Sequence, residues 1–141
     1  MDEQNDIADR LERRGVKATA MRCLVYRSLY NARNPLSLRE VEDLLVTGER
    51  STIFRALTLL VKHGLVHAIE DGSGALKYEA CRGDGACSIS DQHPHFYCES
   101  CGHTYCLHDV HIPVVEFSEA FYVHSINYLI KGICPKCRGE S

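Results

Sequence analysis

The chain has 141 residues, of which 45% are hydrophobic and 25% charged, with no tryptophan and a formal net charge of -3. This composition excludes a disordered chain and a strongly basic protein that covers nucleic acid. The first six residues lack the basic and apolar regions of a secretory signal, and every apolar run is too short for a membrane span. We therefore expect a soluble, globular, cytoplasmic protein.

Eight cysteines and eight histidines are the unusual feature of the composition. In a reducing cytoplasm, so many cysteines indicate metal binding more often than disulfide bonds. The length allows one ordinary domain, or two small ones that need an additional source of stability. A bound metal would supply that stability.

Charge and cysteine content change near residue 80. Residues 1–80 contain twelve Lys or Arg, twelve Asp or Glu and one cysteine, whereas residues 81–141 contain four, seven and seven, respectively. The segment 81–91 is small, polar and contains glycine, as linkers do. We predict an N-terminal domain over 1–80, a hinge over 81–91 and a C-terminal domain over 92–141.

Apolar spacing and capping residues predict four helices in the N-terminal domain, over residues 7–15, 19–29, 38–45 and 51–64. Ser37 and Glu40 form a capping box in front of the third helix. A strand, a tight turn and a second strand follow over 65–70, 71–74 and 75–79. Helices followed by a β-hairpin are the plan of a winged helix-turn-helix domain.

A basic segment lies within this domain, because residues 13–39 contain seven Lys or Arg and no Asp or Glu. Lys and Arg neutralise phosphates, whereas a few side chains on a helix in the major groove read the sequence. The candidate DNA contacts are Arg14 in the basic segment and, at the start of the fourth helix, Arg50, Ser51, Thr52 and Arg55. The alternative is that these residues form only the solvated faces of amphipathic helices.

Two CxxC pairs, Cys98 with Cys101 and Cys134 with Cys137, predict a closed tetrahedral zinc site. The 32 residues between the pairs exceed the usual zinc-ribbon spacing, so an intervening fold must bring the pairs together. We expect that fold to contain a short helix and two strands, over 112–120, 121–123 and 126–130. A redox dithiol is the alternative for a single pair, but two pairs favour structural zinc.

The other cysteines and two histidines indicate a second metal site. Cys23 is expected in the core of the N-terminal domain, because it lies near the apolar side of the second helix. His93 and His95 would share one face of a strand, which suits two ligands of one metal. The nearby cysteines outside the two pairs are Cys81, Cys87 and Cys106.

Several short motifs occupy the positions that one protein family uses. The first, Thr52-Ile53-Phe54-Arg55, stands where that family has Thr-Val-Tyr-Arg on its recognition helix. The others are Gly64-Leu65-Val66, Tyr78-Glu79, His93-x-His95, the Cys98/Cys101 pair with Gly102, and Gly132-x-Cys134-x-x-Cys137. With them the chain resembles the ferric uptake regulator family over nearly its whole length.

The resemblance implies a homodimeric bacterial repressor with a structural zinc and a regulatory metal at the hinge. It implies an α+β fold, in which an N-terminal winged helix-turn-helix precedes a small α/β dimerisation domain stapled by the four-cysteine zinc site. It also adds Phe54 to the candidate DNA-binding residues.

The resemblance is strongest to the zinc uptake regulator branch of the family. For the regulatory ligands of that branch, this sequence offers His67, Cys81, His93 or His95, and Cys106. Soft thiolates suit zinc better than Fe(II) or Mn(II). Two histidines that the iron and manganese branches use are replaced here, by Gln92 and Ile126.

Alternatives stay open at this point. Glu79 matches a ligand position of the iron branch, so the ligand near the linker is Cys81, Cys87 or Glu79, and His124 can face a third site. We expect a DNA-binding repressor, not an enzyme, that uses regulatory Zn²⁺ as corepressor at metal-uptake genes. An iron-, manganese- or peroxide-responsive member of the family, a thiol redox sensor and a zinc-stapled interaction module are the alternatives.

Overall fold

The computed structural model of the chain describes residues 3–46, 48–81, 94–107, 110, 113, 116–123 and 126–139. Its helices are α1 (Glu3–Arg13), α2 (Ala20–Asn31), α3 (Leu38–Leu44) and α4 (Arg50–Lys62). All four predicted helices are confirmed. The capping box of α3 is confirmed as well, because the Glu40 amide donates to Ser37 Oγ at 3.1 Å and the Ser37 amide donates to Glu40 Oε1 at 3.0 Å.

The first sheet contains β1 (Leu36–Ser37), β2 (Val66–Glu70) and β3 (Leu76–Ala80), in the antiparallel order β1-β3-β2. The predicted hairpin β2–β3 is confirmed. Gly64, which joins α4 to the hairpin, has a φ of 75°, a left-handed conformation that glycine adopts without strain. β1 was not predicted, since two residues are too few to show a pattern.

One hydrophobic core holds the four helices against this sheet. Its fully buried side chains include Leu11, Val25, Tyr26, Val41, Ile53, Leu57, Leu60 and Leu65. Each such side chain contributes about 1.5–3 kcal/mol on burial. Cys23 is half-buried against this core, as expected, and burial raises the pKa of its thiol. We call the part of the chain over residues 3–81 the winged unit.

The second sheet contains β4 (His95–Cys98), β5 (Thr104–Cys106) and β6 (Leu129–Gly132), in the order β5-β4-β6. β4 and β5 are antiparallel, whereas β4 and β6 are parallel. The register pairs Cys98 with Gly132, two residues before Cys134. This parallel pairing is the intervening fold that brings the two CxxC pairs together. We call the described residues 94–139 the zinc-binding unit.

The elements expected between the CxxC pairs were partly wrong. Residues 116–120 are not helical, because Ser118 accepts hydrogen bonds from the amides of Ala120 and Phe121 and so stabilises a turn. Residues 121–123 are not a strand, and the side chains of Phe121 and Tyr122 are exposed instead of packed against a sheet. The strand expected over 126–130 begins only at Leu129. The start of the expected helix, at 112, lies outside the described residues.

None of the described helices is long and apolar enough to cross a membrane.

Candidate metal centres and nucleic-acid interface

The four cysteines of the CxxC pairs lie together at one end of the second sheet. The Sγ atoms of Cys98, Cys101, Cys134 and Cys137 all lie within 4.8 Å of one another. The Sγ atoms of Cys101 and Cys134 are 3.9 Å apart. Sulfurs bound tetrahedrally to zinc at about 2.3 Å would be separated by about 3.8 Å. The spacing therefore fits a zinc ion.

Hydrogen bonds prepare two of these thiols for ionisation. Burial disfavours the thiolate of Cys98, but hydrogen bonds from backbone amides outweigh the effect of burial and lower the pKa of Cys98 to about 6. The amide nitrogens of Cys101 and Cys134 lie 3.4 and 3.3 Å from the Cys98 sulfur. A hydrogen bond from the Tyr105 hydroxyl, with that from the Cys137 amide, lowers the pKa of Cys134. Thiolates are the form that binds zinc.

Cys137 shows the complementary effect. A hydrogen bond from Ser100 favours its thiolate, but its hydrogen bonds with the neighbouring cysteines outweigh this and raise its pKa to about 11. Cys98 and Cys134 thus favour the thiolate and Cys137 favours the thiol, and a divalent cation held by the four sulfurs would displace the protons that remain on them. The donor set and the spacing identify a four-cysteine zinc site that staples the zinc-binding unit.

Two residues beside this site were not singled out from the sequence. Tyr105 supports Cys134, and His103 Nδ1 lies 3.4 Å from Cys101 Sγ. Such outer hydrogen bonds orient metal ligands. The only signal in the sequence was their closeness to Cys101, which does not separate a partner of a ligand from any other polar residue.

A second group of side chains with potential metal-donor atoms joins the two units. One donor atom each from Glu79, His95 and Cys106 lies within 4.8 Å of the other two. Glu79 belongs to β3, His95 opens β4 and Cys106 ends β5. We call these three residues the hinge cluster.

Within the hinge cluster, His95 Nε2 donates to Glu79 Oε2 at 2.9 Å, and the two side chains are only 10% and 13% exposed. The backbone amide of Cys106 donates to Asn34 Oδ1 at 3.0 Å. Asn34 lies between α2 and β1, so the winged unit contacts Cys106 as well as supplying Glu79. A carboxylate, an imidazole and a thiol that converge in a half-buried position form a suitable donor set for zinc.

The structure brings together only some of the residues expected at the regulatory site. His95 and Cys106 are in the hinge cluster, and Glu79, one of the three alternatives near the linker, joins them. Cys81 is disulfide-bonded, and its backbone is held in the winged unit by hydrogen bonds with Tyr26 and Leu65.

The expected histidine ligands have different positions. His67 lies directly opposite Glu79 in the β2–β3 pair but is not one of the converging donors. His93, Cys87 and His124 lie outside the described residues, so the structure does not place them.

The candidate DNA-binding residues lie mainly on one face of α4. The helix packs on the core through Ile53, Ala56, Leu57 and Leu60. This leaves the side chains of Ser51, Phe54, Arg55 and Thr58 exposed on the opposite face. Phe54 is 47% exposed, which is high for a large apolar side chain. Thr58 was not predicted, although its helical spacing from Ser51 and Phe54 would have indicated it.

The remaining candidates lie at the two ends of α4. Arg50 forms an exposed ion pair of 3.5 Å with Glu42, an interaction weak enough to be exchanged for a phosphate contact. Thr52 is half-buried at the same end. Arg14 lies near the other end, where its carbonyl is 3.0 Å from His63 Nδ1. The candidate side chains on α4 thus form a more compact surface than a set that also includes Arg14.

Comparison with known proteins identifies the fold. A crystal structure of holo XcZur has a TM-score of 0.62 and 22% sequence identity, covering 96% of both chains. A zinc uptake regulator complexed with zinc and DNA has a TM-score of 0.65 and 19% identity, covering 99% of this chain and 97% of the other.

The Helicobacter pylori ferric uptake regulator Fur, whose structure has three functional metal-binding sites, has a TM-score of 0.64 and 18% identity over 97% of this chain and 95% of the other. No curated protein sequence matches the chain significantly.

A family model gives the assignment that these low identities do not. The model of the ferric uptake regulator family matches residues 13–127, most of both units. The chain therefore belongs to the ferric uptake regulator family, a family of metal-dependent, DNA-binding transcription regulators and not of enzymes.

Proposed function

We propose that this regulator is a zinc-responsive repressor of metal-uptake genes, in which the hinge cluster binds the regulatory metal. One observation carries the proposal: donors from the winged unit and from the zinc-binding unit converge within 4.8 Å of one another. A site with this composition responds to metal by fixing the relative orientation of the units that supply its ligands.

The donors of the hinge cluster favour zinc. Cys106 supplies a thiolate, a soft ligand that suits zinc better than Fe(II) or Mn(II), and His95 supplies an imidazole. The negative charges of Glu79 and Cys106 would balance the charge of a divalent cation. His93, or His67 from its position opposite Glu79, would supply a fourth ligand, since four-coordinate zinc completes its tetrahedron with one more donor.

The residues of the hinge cluster act by joining the two units. Bound zinc would supply a strong link between Glu79 on β3 and the pair His95 and Cys106 on β4 and β5. Glu79 transmits the constraint to the winged hairpin, and Asn34 holds the loop before α3 against Cys106. Bound metal then favours the relative orientation of the two units in which all donors converge. Because α4 belongs to the winged unit, this orientation also fixes the position of α4.

The exposed face of α4 is the DNA-reading surface in this proposal. Arg55 reads base edges, Phe54 makes apolar contacts in the major groove, and Arg50, Ser51 and Thr52 hold phosphates, with Arg14 as a further phosphate contact. A zinc uptake regulator of similar fold is known in complex with zinc and DNA, which supports this assignment.

The regulator binds its operator as a homodimer. Large apolar side chains are exposed on the zinc-binding unit, where a second copy would cover Phe117, Phe121, Tyr122, Ile130 and Ile133. Two recognition helices about 34–36 Å apart would then read a near-palindromic operator. The proposal includes the division of the chain into a DNA-binding domain over 1–80, a hinge over 81–91 and a dimerisation domain over 92–141. It also includes a cytoplasmic location, where a bacterial operator is accessible.

Operator affinity measured across buffered zinc, iron and manganese tests the proposal. The DNA is selected from a random library with zinc-loaded protein, and the variants are Cys106→Ser and the control Cys23→Ser. We expect zinc to tighten binding at least about tenfold for the natural protein and the control, and not for Cys106→Ser. An undiminished zinc response in Cys106→Ser would overturn the site, and a response to iron or manganese instead of zinc would overturn the metal.

A further inference from the structure

A buried lysine joins the two units at a point outside the hinge cluster. The side chain of Lys77, on β3, is only 7% exposed. Its Nζ donates to Asp71 Oδ2 at 2.9 Å, to the Gly102 carbonyl at 3.1 Å and to Thr104 Oγ1 at 3.3 Å. An ammonium group has three hydrogens, so these three acceptors match its full capacity.

The acceptors come from both units. Asp71 lies in the turn of the winged hairpin and is fully buried, whereas Gly102 and Thr104 follow Cys101 in the zinc-binding unit. The Thr104 hydroxyl also donates to Asp71 Oδ2, at 2.6 Å. Burial disfavours the ionised carboxyl of Asp71, but hydrogen bonds from Ser73, Thr104 and Lys77 outweigh it and hold its pKa below the usual range. Gly102 and Thr104 of the zinc-binding unit thus supply the remaining hydrogen-bond partners of Lys77.

This contact is in register with the hinge cluster. Lys77 and Glu79 are two residues apart on β3 and so face the same side of the strand. On β4, Tyr97 and His95 have the same relation. Lys77 Nζ lies 5.6 Å from the centre of the Tyr97 ring, and Glu79 bonds His95. The two strands therefore meet through two successive pairs of side chains.

The third strand repeats the pattern. Thr104 and Cys106 are also two residues apart, on β5, so they share a face of that strand as well. Fixing Lys77 to Thr104 therefore fixes where Glu79 lies relative to Cys106. The lysine contact involves no metal ligand.

We propose that Lys77 is a positioning residue for the hinge cluster, which docks β3 on β4 and β5 so that the metal ligands already converge before metal binds. This inference rests on the proposed function of the hinge cluster as the metal site. Apparent metal affinity scales with the fraction of molecules whose ligands are already in place. Loss of the lysine contact therefore weakens metal binding without removing a ligand.

Cobalt titration tests the proposal in zinc-stapled protein, that is, protein whose four-cysteine site already holds zinc. The absorption spectrum of bound Co²⁺ reports the ligands that hold it. The variants are Lys77→Met, which keeps the apolar stem, and Thr104→Val, which removes only bonds between the units and leaves the Lys77–Asp71 pair intact. Lys62→Met on α4 is the matched control, since Lys62 is exposed. Solution scattering before cobalt is added reports whether the units are docked.

We expect Lys77→Met and Thr104→Val to bind cobalt about tenfold more weakly than the natural protein and Lys62→Met, with the same spectrum at saturation. We also expect a larger radius of gyration for both variants before cobalt. Unchanged cobalt affinity in both variants would overturn the positioning role and leave the proposed function intact. If the natural protein showed no cobalt spectrum at the hinge, the proposed function of the hinge cluster would be wrong. If, in addition, Lys77→Met and Thr104→Val had the same radius of gyration as the natural protein, the role of Lys77 in docking the two units would be wrong as well.

Discussion

The Nε2 atom of His95 lies 2.9 Å from Oε2 of Glu79, and these two residues belong to different sheets. They are sixteen positions apart in the sequence, and their contact joins the winged unit to the zinc-binding unit. A ligand that binds both residues must respond to the relative placement of the units. The predictions below follow from this relation and from the face of α4 that it controls.

Glu79→Gln should weaken zinc binding at the hinge at least about tenfold, because it replaces a charged ligand with a neutral amide of the same size. Cys81→Ser should leave that binding unchanged, since Cys81 is disulfide-bonded and is not one of the three described donors that converge. Zinc titration against a competing chelator measures both. A loss of affinity in Cys81→Ser with none in Glu79→Gln would show that the ligands are reversed.

Cys106→Asp should change the metal preference of the hinge cluster. It replaces the soft thiolate by a hard carboxylate, so zinc affinity should fall by more than Mn(II) affinity, and the ratio of the two should drop about tenfold or more. Parallel titrations with both metals give the ratio, and Cys23→Ser is the control. An unchanged ratio would mean that the thiol does not bind the metal.

Cys134→Ser should cost one zinc ion per chain and unfold the second sheet, because a structural zinc supplies most of the folding free energy of a unit this small. Cys23→Ser, which changes a half-buried thiol in the winged unit, should keep the zinc. Zinc content and circular dichroism of both variants check the prediction. Full zinc content in Cys134→Ser would refute the assignment of that ligand.

Arg55→Ala and Phe54→Ala should each weaken operator binding by about 1–3 kcal/mol, which is roughly 5- to 150-fold. Both side chains are exposed on α4, so the fold should be unaffected. Arg50→Ala should reduce the salt dependence of binding by about one phosphate contact. Lys62→Ala, at the other end of the helix, is the control. Equal losses in Lys62→Ala would indicate that α4 does not enter the groove by its N-terminal half.

Most of the winged unit could be predicted from the sequence because its signals are local. The Ser37–Glu40 capping box and the apolar period of α4 each lie within a few residues, and the structure has both. The zinc-binding unit could not be predicted as well. The parallel pairing of β4 with β6 joins residues more than thirty positions apart, so the sequence indicated a strand over 126–130 but neither its start at Leu129 nor its pairing with β4.

The two metal centres show the same difference. The clustering of the four CxxC cysteines was predicted, since spacing within each pair carries the information. At the hinge, the sequence left Glu79, Cys81 and Cys87 as alternatives, because position along the chain does not show which of them the fold brings to His95 and Cys106. The contribution of Lys77 was missed entirely, since a lysine in a strand has no pattern that distinguishes burial from exposure.

The central claim is that the metal at the hinge and the DNA at α4 are coupled, and coupling between two ligands is reciprocal. The most direct measurement is therefore the zinc affinity of the hinge cluster in the zinc-stapled protein, with and without saturating operator DNA. We predict that operator raises this zinc affinity by the same factor by which zinc raises operator affinity. A zinc affinity that operator DNA leaves unchanged would contradict the claim.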